Sequence, residues 1–263
     1  MLPARAMVTR PGGDEALDAR ANFALEEALF LKNRGLLLRV WENQESVIIG
    51  RAQLAQFETD LPYCEAEGIP VVRRFTAGGA VYNGPGNLNW SVFVAKGVEE
   101  GKVRYLRGPM EIFRTASVPV VSALAAMGVK ARLEPPNSIV NDRGKISGMA
   151  AYVSKDGFLC HGTLLVDADL DRVKRLTTPS PQPLERRYTR SRDVRTANTK
   201  VGADSFIRTF VSKLGDVAGM HLDDSGPDDE ETALAEELLA SKYSKDSWNL
   251  GDPFAARGQA RAG

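Results

Sequence analysis

From Arg73 to Asn89 the chain reads Arg-Arg-Phe-Thr-Ala-Gly-Gly-Ala-Val-Tyr-Asn-Gly-Pro-Gly-Asn-Leu-Asn. Two adjacent guanidinium groups lead into a backbone without side chains at Gly78 and Gly79, which lets main-chain N–H groups approach an anion closely. The run from Asn87 to Val94 alternates and is rich in β-branched and aromatic residues, so it predicts a strand. The glycines therefore fall in a strand-to-strand connection. No Lys-Ser or Lys-Thr follows them, and no helix is aimed at the anion, so the common phosphate-loop patterns are excluded. A Gly-rich hairpin that binds nothing stays open on the loop alone.

Around this segment the pattern is mixed. Residues 16–33 predict a helix with an apolar face at Leu17, Phe23, Leu25, Ala28, Leu29 and Leu31, a stop at Gly35, and Glu26 and Glu27 near its middle. Strands are expected at 36–41, 46–50, 69–75 and 158–166, with a hairpin turning at 141–144. Residues 54–67 read as a polar helix and 110–127 as a helix kinked at Pro119. Further helices are expected at 167–176, 206–214 and 230–241. Residues 1–10 read as a tail, 95–109 as a linker and 223–231 as a solvated acidic linker. The Pro- and Arg-rich stretch 177–193 reads as a mobile loop, either a lid or an exposed linker.

With 263 residues, 43% of them hydrophobic, the chain can bury one large core. Lys plus Arg and Asp plus Glu are both 34, so no excess of charge points to nucleic acid or an anionic membrane, and an anion site must be a local cluster. Cys64 and Cys160 lack a partner pattern, and His161 and His221 are too few for a zinc constellation. No metal site of protein ligands is expected. A reducing cytoplasm fits, and no apolar run is long enough to span a bilayer.

Lys145 stands between glycines in Gly-Lys-Ile-Ser-Gly. Alone it reads as a surface lysine. With Arg73 and Arg74 it makes a three-cation clamp for a phosphate or carboxylate, suited to stabilising charge during acyl or phosphoryl transfer. No Gly-x-Ser-x-Gly elbow is present, and Cys160 and His161, as neighbours on a strand, point to opposite faces. Chemistry run by positioning and cations is favoured over a protein nucleophile, and acyl-adenylate formation has that character.

Six ordered segments, Asn22 to Glu27, Val47 to Gln53, Arg73 to Asn89, Gly144 to Gly148, His161 to Leu165 and Trp248 to Gly251, resemble those of lipoate-protein ligases of the A type, in the biotin and lipoate ligase and octanoyltransferase superfamily. The resemblance covers about residues 14–252. It implies an α/β (α+β) fold with a mainly antiparallel, mixed central sheet flanked by helices. It also implies Mg-ATP-dependent activation of lipoate to lipoyl-AMP, then transfer to a lysine of an apo-lipoyl domain or glycine-cleavage H protein. By the same matching, Arg74, Gly79, Ala80, Val81 and Tyr82 contact the nucleotide, beside Arg73 and Gly78 of the loop, and Lys145 reaches both phosphate and acyl carbonyl as the catalytic residue. Glu26, Thr76, Asn137, Ala150, His161 and Thr163 are expected around the lipoyl group, with Val47 to Ile49 and Gly50 holding its tail.

Three features depart from the family pattern: Ala77 for a glycine, Asn83-Gly84 for His-Asp, and Ser138 for an Asp after Asn137. The catalytic domain is expected over 1–252, with a tail at 253–263 and no C-terminal accessory domain. That leaves three forms: a ligase with a separate small accessory subunit, a self-sufficient ligase, or an enzyme that transfers preformed acyl groups. Rival readings are a thioester-dependent octanoyl- or lipoyl-transferase with a cysteine nucleophile and a non-catalytic lipoate-binding protein.

Overall fold

The computed structural model of the protein describes residues 2–9, 18–98 and 105–255. The first two residues of the helix expected at 16–33, the middle of the 95–109 linker and most of the 253–263 tail lie outside the described residues.

The main sheet has eight strands in the order β11-β1-β2-β6-β10-β9-β8-β7. They are β1 (Ala4–Val8), β2 (Leu36–Trp41), β6 (Asn87–Ala95), β7 (Arg132–Glu134), β8 (Ser138–Val140), β9 (Lys145–Val153), β10 (Gly157–Leu165) and β11 (Asp223–Asp224). β1 is parallel to β2 and β11, and the other pairs are antiparallel. A smaller sheet, β4-β3-β5, joins β3 (Ser46–Ile49), β4 (Val71–Arg73) and β5 (Val81–Asn83). The glycine segment thus connects β4 to β5, as the sequence predicts.

Two layers cover the main sheet. On one face Leu38, Val40, Trp90, Val92 and Cys160 pack against Ile112, Phe113 and Val120 of α3 (Pro109–Ala126) and Phe206 and Phe210 of α5 (Ala203–Ala218). Pro119 lies inside α3. The other face carries Leu37, Phe93 and Leu159 under Leu29 of α1 (Ala19–Lys32). α1 starts where the Asp18 side chain accepts from Arg20 N–H at 3.3 Å, an ordinary N-cap device. Gly35, past its end, admits no side chain: an added Cβ would lie 1.9 Å from the Pro3 carbonyl oxygen, which accepts from Leu36 N–H.

Four expectations are corrected. Residues 4–8 form β1, because β2, beyond the α1 crossover, offers a free edge to pair with. Residues 54–67 break into a 3-10 turn, Ala55–Phe57, and α2 (Leu61–Ala66), which the Asp60 side chain caps by accepting from Tyr63 N–H. The acidic run at 223–231 supplies β11 and the start of α6 (Asp229–Leu238), where buried Glu231 pairs with Arg5. The 177–193 stretch is irregular after α4 (Leu170–Thr177) but anchored: Ser180, Thr189 and Ser191 donate their N–H groups to Phe57 O, Ala52 O and Glu58 Oε2, and Tyr188 is buried.

Candidate active site

Strand register builds the floor of the site. Arg39 lies opposite Ser91, Ser91 opposite His161, and His161 opposite Ala150, across β2, β6, β10 and β9. Two residues further along, Trp41 faces Asn89 and Asn89 faces Thr163. Alternation turns both rows away from the Leu38, Trp90 and Cys160 core and toward α1, which lowers Phe23 and Glu26 onto them.

Glu26 is fully buried and accepts from Ser91 Oγ, while His161 Nδ1 lies 2.9 and 3.0 Å from its two carboxylate oxygens. Burial pushes this carboxyl up, but His161, the Ser91 hydroxyl and Arg39 outweigh that and hold it below the ordinary value. Burial brings Arg39 down to about 10, partly offset by Glu26, which leaves it charged at neutral pH. On its other side His161 Nε2 is 2.8 Å from Thr76 Oγ1, which accepts from Arg74 Nε at 3.0 Å. An ionised carboxylate only accepts, so Nδ1 carries a hydrogen and donates it to Glu26. The order carboxylate, imidazole, hydroxyl matches that of a hydrolytic triad, yet Thr76 is fully buried and does not line the cleft. The chain positions; it does not attack.

Arg74 holds the glycine loop from within. Its Nη2 donates to Ala77 O at 2.8 Å and Gly79 O at 2.9 Å. Gly78 has φ +107°, and a Cβ there would meet Arg74 Nη2 at 2.8 Å. Gly50 sits outside the cleft as a support: its missing side chain makes room for Gly78 O, 2.1 Å from where Cβ would be. Burial also brings Arg74 down to about 10, partly offset by Glu26.

Arg73 departs from the expected clamp. Its guanidinium donates to Gln53 O, Trp248 O and Gly251 O at 2.6, 2.7 and 2.9 Å, and its backbone N–H donates to Asn249 Oδ1 at 3.0 Å. Adjacent strand residues face opposite ways, so only Arg74 reaches the cleft. The same alternation corrects the tail-holding residues: Val47 and Ile49 pack with Cys64 and Tyr82 in a separate apolar cluster, while Ile48 lines the cleft.

The cation missing from the expected clamp is Arg192. It lines the cleft with Arg74 and Lys145, and neither Arg192 nor the Lys145 ammonium has a hydrogen-bond or ion-pair partner among the described residues. Burial, then Arg74, then Arg192 push the Lys145 amine below its ordinary value. Ser191, next to it, ties the 177–193 segment to the loop: its Oγ accepts from Ala80 N–H at 2.7 Å and Gln53 Nε2 at 3.1 Å. Beyond it, Lys145 N–H donates to Arg195 O and Ala197 N–H to Lys145 O.

The resulting cleft has two connected cavities of about 340 and 450 Å³, which share Ala80, Val81, Lys145, Gly148, Thr163, Ser191, Arg192 and Val194. The first also takes Gly78, Gly79, Asn137, Ala150 and His161. Tyr82 lines the second, with its hydroxyl donating to Glu45 at 3.2 Å. Sequence reasoning missed Phe23, Trp41, Asn83, Asn89, Ser191 and Arg192 as site members. Carrying alternation outward from His161 reaches Trp41 and Asn89, but only once strand pairing is known.

Cys160 is buried in the core beneath the sheet and Cys64 under the small sheet, and burial pushes both thiols up. Neither lines the cleft, so the cysteine-nucleophile reading finds no support among the described residues. Among those residues no group of three His, Cys, Asp or Glu is arranged to hold a metal ion, and no helix is long and apolar enough to cross a membrane.

The sequence profile of the lipoyl protein ligase A/B catalytic domain matches residues 18–214. Lipoate-protein ligase A subunit 1 of Thermoplasma acidophilum is 30% identical over 251 residues, 89% of this chain and 93% of that protein. Two solved structures are similar at 28% identity. One, of a bipartite lipoate protein ligase and its E2 lipoyl domain from Thermoplasma acidophilum, has a TM-score of 0.80 and covers 95% of this chain and 97% of that one. The other, a lipoate-protein ligase A bound with ATP, has a TM-score of 0.78 and covers 95% and 99%. With most of its length matched by the profile, and with the glycine loop, Lys145 and His161 gathered around one cleft, this chain belongs to the lipoyl protein ligase A/B catalytic domain family.

Proposed function

We propose that the protein is a lipoate-protein ligase that activates lipoate with ATP and passes the lipoyl group to a lysine of an acceptor protein. The observation that carries this reading is the pair of joined cavities meeting at Lys145. The first, with Phe23, Trp41 and Ile48 in its wall, suits an acyl chain, and the second, with Thr177, Thr178 and Asp193, suits a nucleotide. In the first step a lipoate carboxylate oxygen attacks the α-phosphorus of ATP and pyrophosphate leaves. In the second, the acceptor amine attacks the acyl carbonyl and AMP leaves. Lys145 sits where both events gather negative charge, with Arg192 beside it as a second free cation.

Mg²⁺ is held in nucleotide sites by phosphates, waters and one or two carboxylates. Asp171 and Asp193 of the second cavity fit that need, and the ion would neutralise charge on the phosphates. The likeness to a protein named subunit 1 supports a separate accessory subunit for activation. The acceptor is a lipoyl domain, as for the bipartite relative, or an H-type protein, and the site of action is the cytoplasm.

Gly84 and Ser138, where the family pattern carries Asp, favour a second reading in which transfer is intact and activation needs the partner. The test is mass spectrometry of an apo-lipoyl domain incubated with the protein and either lipoate plus Mg-ATP or preformed lipoyl-AMP. Modification from both donors establishes a self-sufficient ligase. Modification from lipoyl-AMP alone assigns activation to a partner, and none from either leaves a lipoate-binding protein.

A further inference from the structure

Glu58 closes the 3-10 turn at Ala55–Phe57 and is 0% exposed, yet it lines neither cavity and takes no part in the Glu26 chain. Burying a carboxylate is costly unless cations or hydrogen-bond donors meet it, so its partners say what it is for. They come mainly from one short segment. Ser191 N–H donates to Oε2 at 2.9 Å, and Arg190 Nε faces Oε1 at 3.3 Å as an ion pair, neither of those two atoms having a hydrogen bond. Burial is the largest influence on the carboxyl and pushes it above its ordinary value, although the Ser191 hydroxyl and N–H, then Arg190, then Gln53 oppose it.

The segment that Glu58 holds carries two parts of the cleft. Ser191 packs on the glycine loop: its Oγ accepts from Ala80 N–H at 2.7 Å, and a Cβ on Gly79 would lie 3.0 Å from that oxygen. Arg192, the next residue, lines both cavities with Lys145. Its backbone is fixed on either side and not between, because Glu58 ties Ser191 and Lys145 N–H ties Arg195 O at 2.9 Å, while residues 192–194 make no backbone–backbone hydrogen bond among the described residues. Irregular chain without a ladder keeps its place only through such ties. The bonds of Ser180 N–H to Phe57 O and Thr189 N–H to Ala52 O lie further upstream. Without Glu58, Arg192 is anchored from the Lys145 side alone.

We propose that Glu58 is a positioning residue: from behind the cleft wall it fixes Ser191, and through Ser191 it seats the glycine loop and holds Arg192 beside the Lys145 ammonium. It touches no guest and moves no proton. The proposal rests on the ligase reading only for what the two cations do there, which is to stabilise negative charge at the reacting centre. Two like charges held side by side repel each other, so an exposed arginine released from such a tie turns out into water, and the lysine it leaves behind feels less positive charge.

The experiment reads Lys145 itself and needs no substrate. Competitive labelling of the full chain with acetic anhydride across alkaline pH, followed by peptide mass spectrometry, gives the midpoint at which Lys145 becomes reactive in the wild type, Arg192→Gln, Glu58→Met and the two combined. Glu58→Met keeps the size and removes both acceptors; Glu58→Gln, which keeps one acceptor for Ser191 N–H, replaces it if the methionine protein does not fold. Burial, Arg74 and Arg192 hold the wild-type amine below its ordinary value. Arg192→Gln and Glu58→Met should each move the midpoint to higher pH, and the combination no further than Arg192→Gln alone, since both remove the same contact. Glu58→Gln should move it the same way by less. A general loosening that merely wets Lys145 would instead add to the Arg192→Gln shift. An unmoved midpoint in Arg192→Gln or in the folded Glu58 variant, or shifts that add in the combination, overturns the proposal. Failure of the wild type to modify a lipoyl domain from either donor would sink the ligase reading and leave these midpoints where they are.

Discussion

His161 and Glu26, 135 positions apart, meet with imidazole Nδ1 centred between the two carboxylate oxygens at 2.9 and 3.0 Å. Glu26→Gln keeps the shape and removes the charge that orients the ring, so acyl transfer is expected to fall about tenfold and stability by about 3 kcal/mol. The wild-type carboxyl sits below its ordinary 4.5, so its stabilisation is full above pH 4.5 and drains away as pH falls through the lowered value. Thermal melts of both proteins at falling pH should show a constant gap above that point and a closing gap below it.

Lys145→Met should reduce the rate of lipoyl transfer from lipoyl-AMP by roughly 10²–10³ with little change in melting temperature, as for loss of one charge-stabilising donor. Single-turnover kinetics separates this from an effect on binding.

Arg192→Gln removes one of the two cations that lower the Lys145 amine. The folded value should rise toward the ordinary 10.5, so the alkaline fall in transfer rate, set by loss of the lysine proton, moves to higher pH. A pH–rate profile with an unmoved alkaline limb would show that the two groups do not interact.

Arg73→Lys is expected to destabilise the protein by about 3 kcal/mol, since one ammonium cannot serve the carbonyls that the guanidinium now satisfies, yet to leave the KM for ATP near wild type. Arg74→Lys should instead loosen the glycine loop and raise that KM about tenfold. Equal effects of the two on KM would contradict their opposite orientations.

Gly78→Ala and Gly128→Ala form a matched pair. Both have positive φ, +107° and +79°, but an added methyl meets Arg74 at the first and open space at the second. Each should cost about 1–2 kcal/mol in backbone strain. Only Gly78→Ala should impair the ATP-dependent step, as read by pyrophosphate release.

Much of this was legible in the chain, and the failures share a cause. The glycine connection, the 141–144 hairpin, where Asn141 Oδ1 accepts from Arg143 and Gly144 N–H, and the opposite facing of Cys160 and His161 all follow from local pattern. Applied with the same rigour, alternation would have separated Arg73 from Arg74 and Ile48 from its neighbours. What no local pattern supplies is pairing. β1 forms only because β2 lies waiting beyond α1, and Asn89 becomes a site residue only by standing between Trp41 and Thr163. Arg192 was hidden for another reason: in an irregular segment, spacing says nothing about where a side chain goes.

The glycine loop hangs from the three-stranded sheet, whereas the row from Trp41 to Thr163 belongs to the eight-stranded one. The loop and the floor of the cleft are thus carried on separate sheets, and Lys145, on β9 of the larger one, lines the same cavity as the loop. Because Lys145 lines that cavity from one sheet and Gly78 and Gly79 line it from the other, the cavity keeps its shape only while the two sheets hold their relative position.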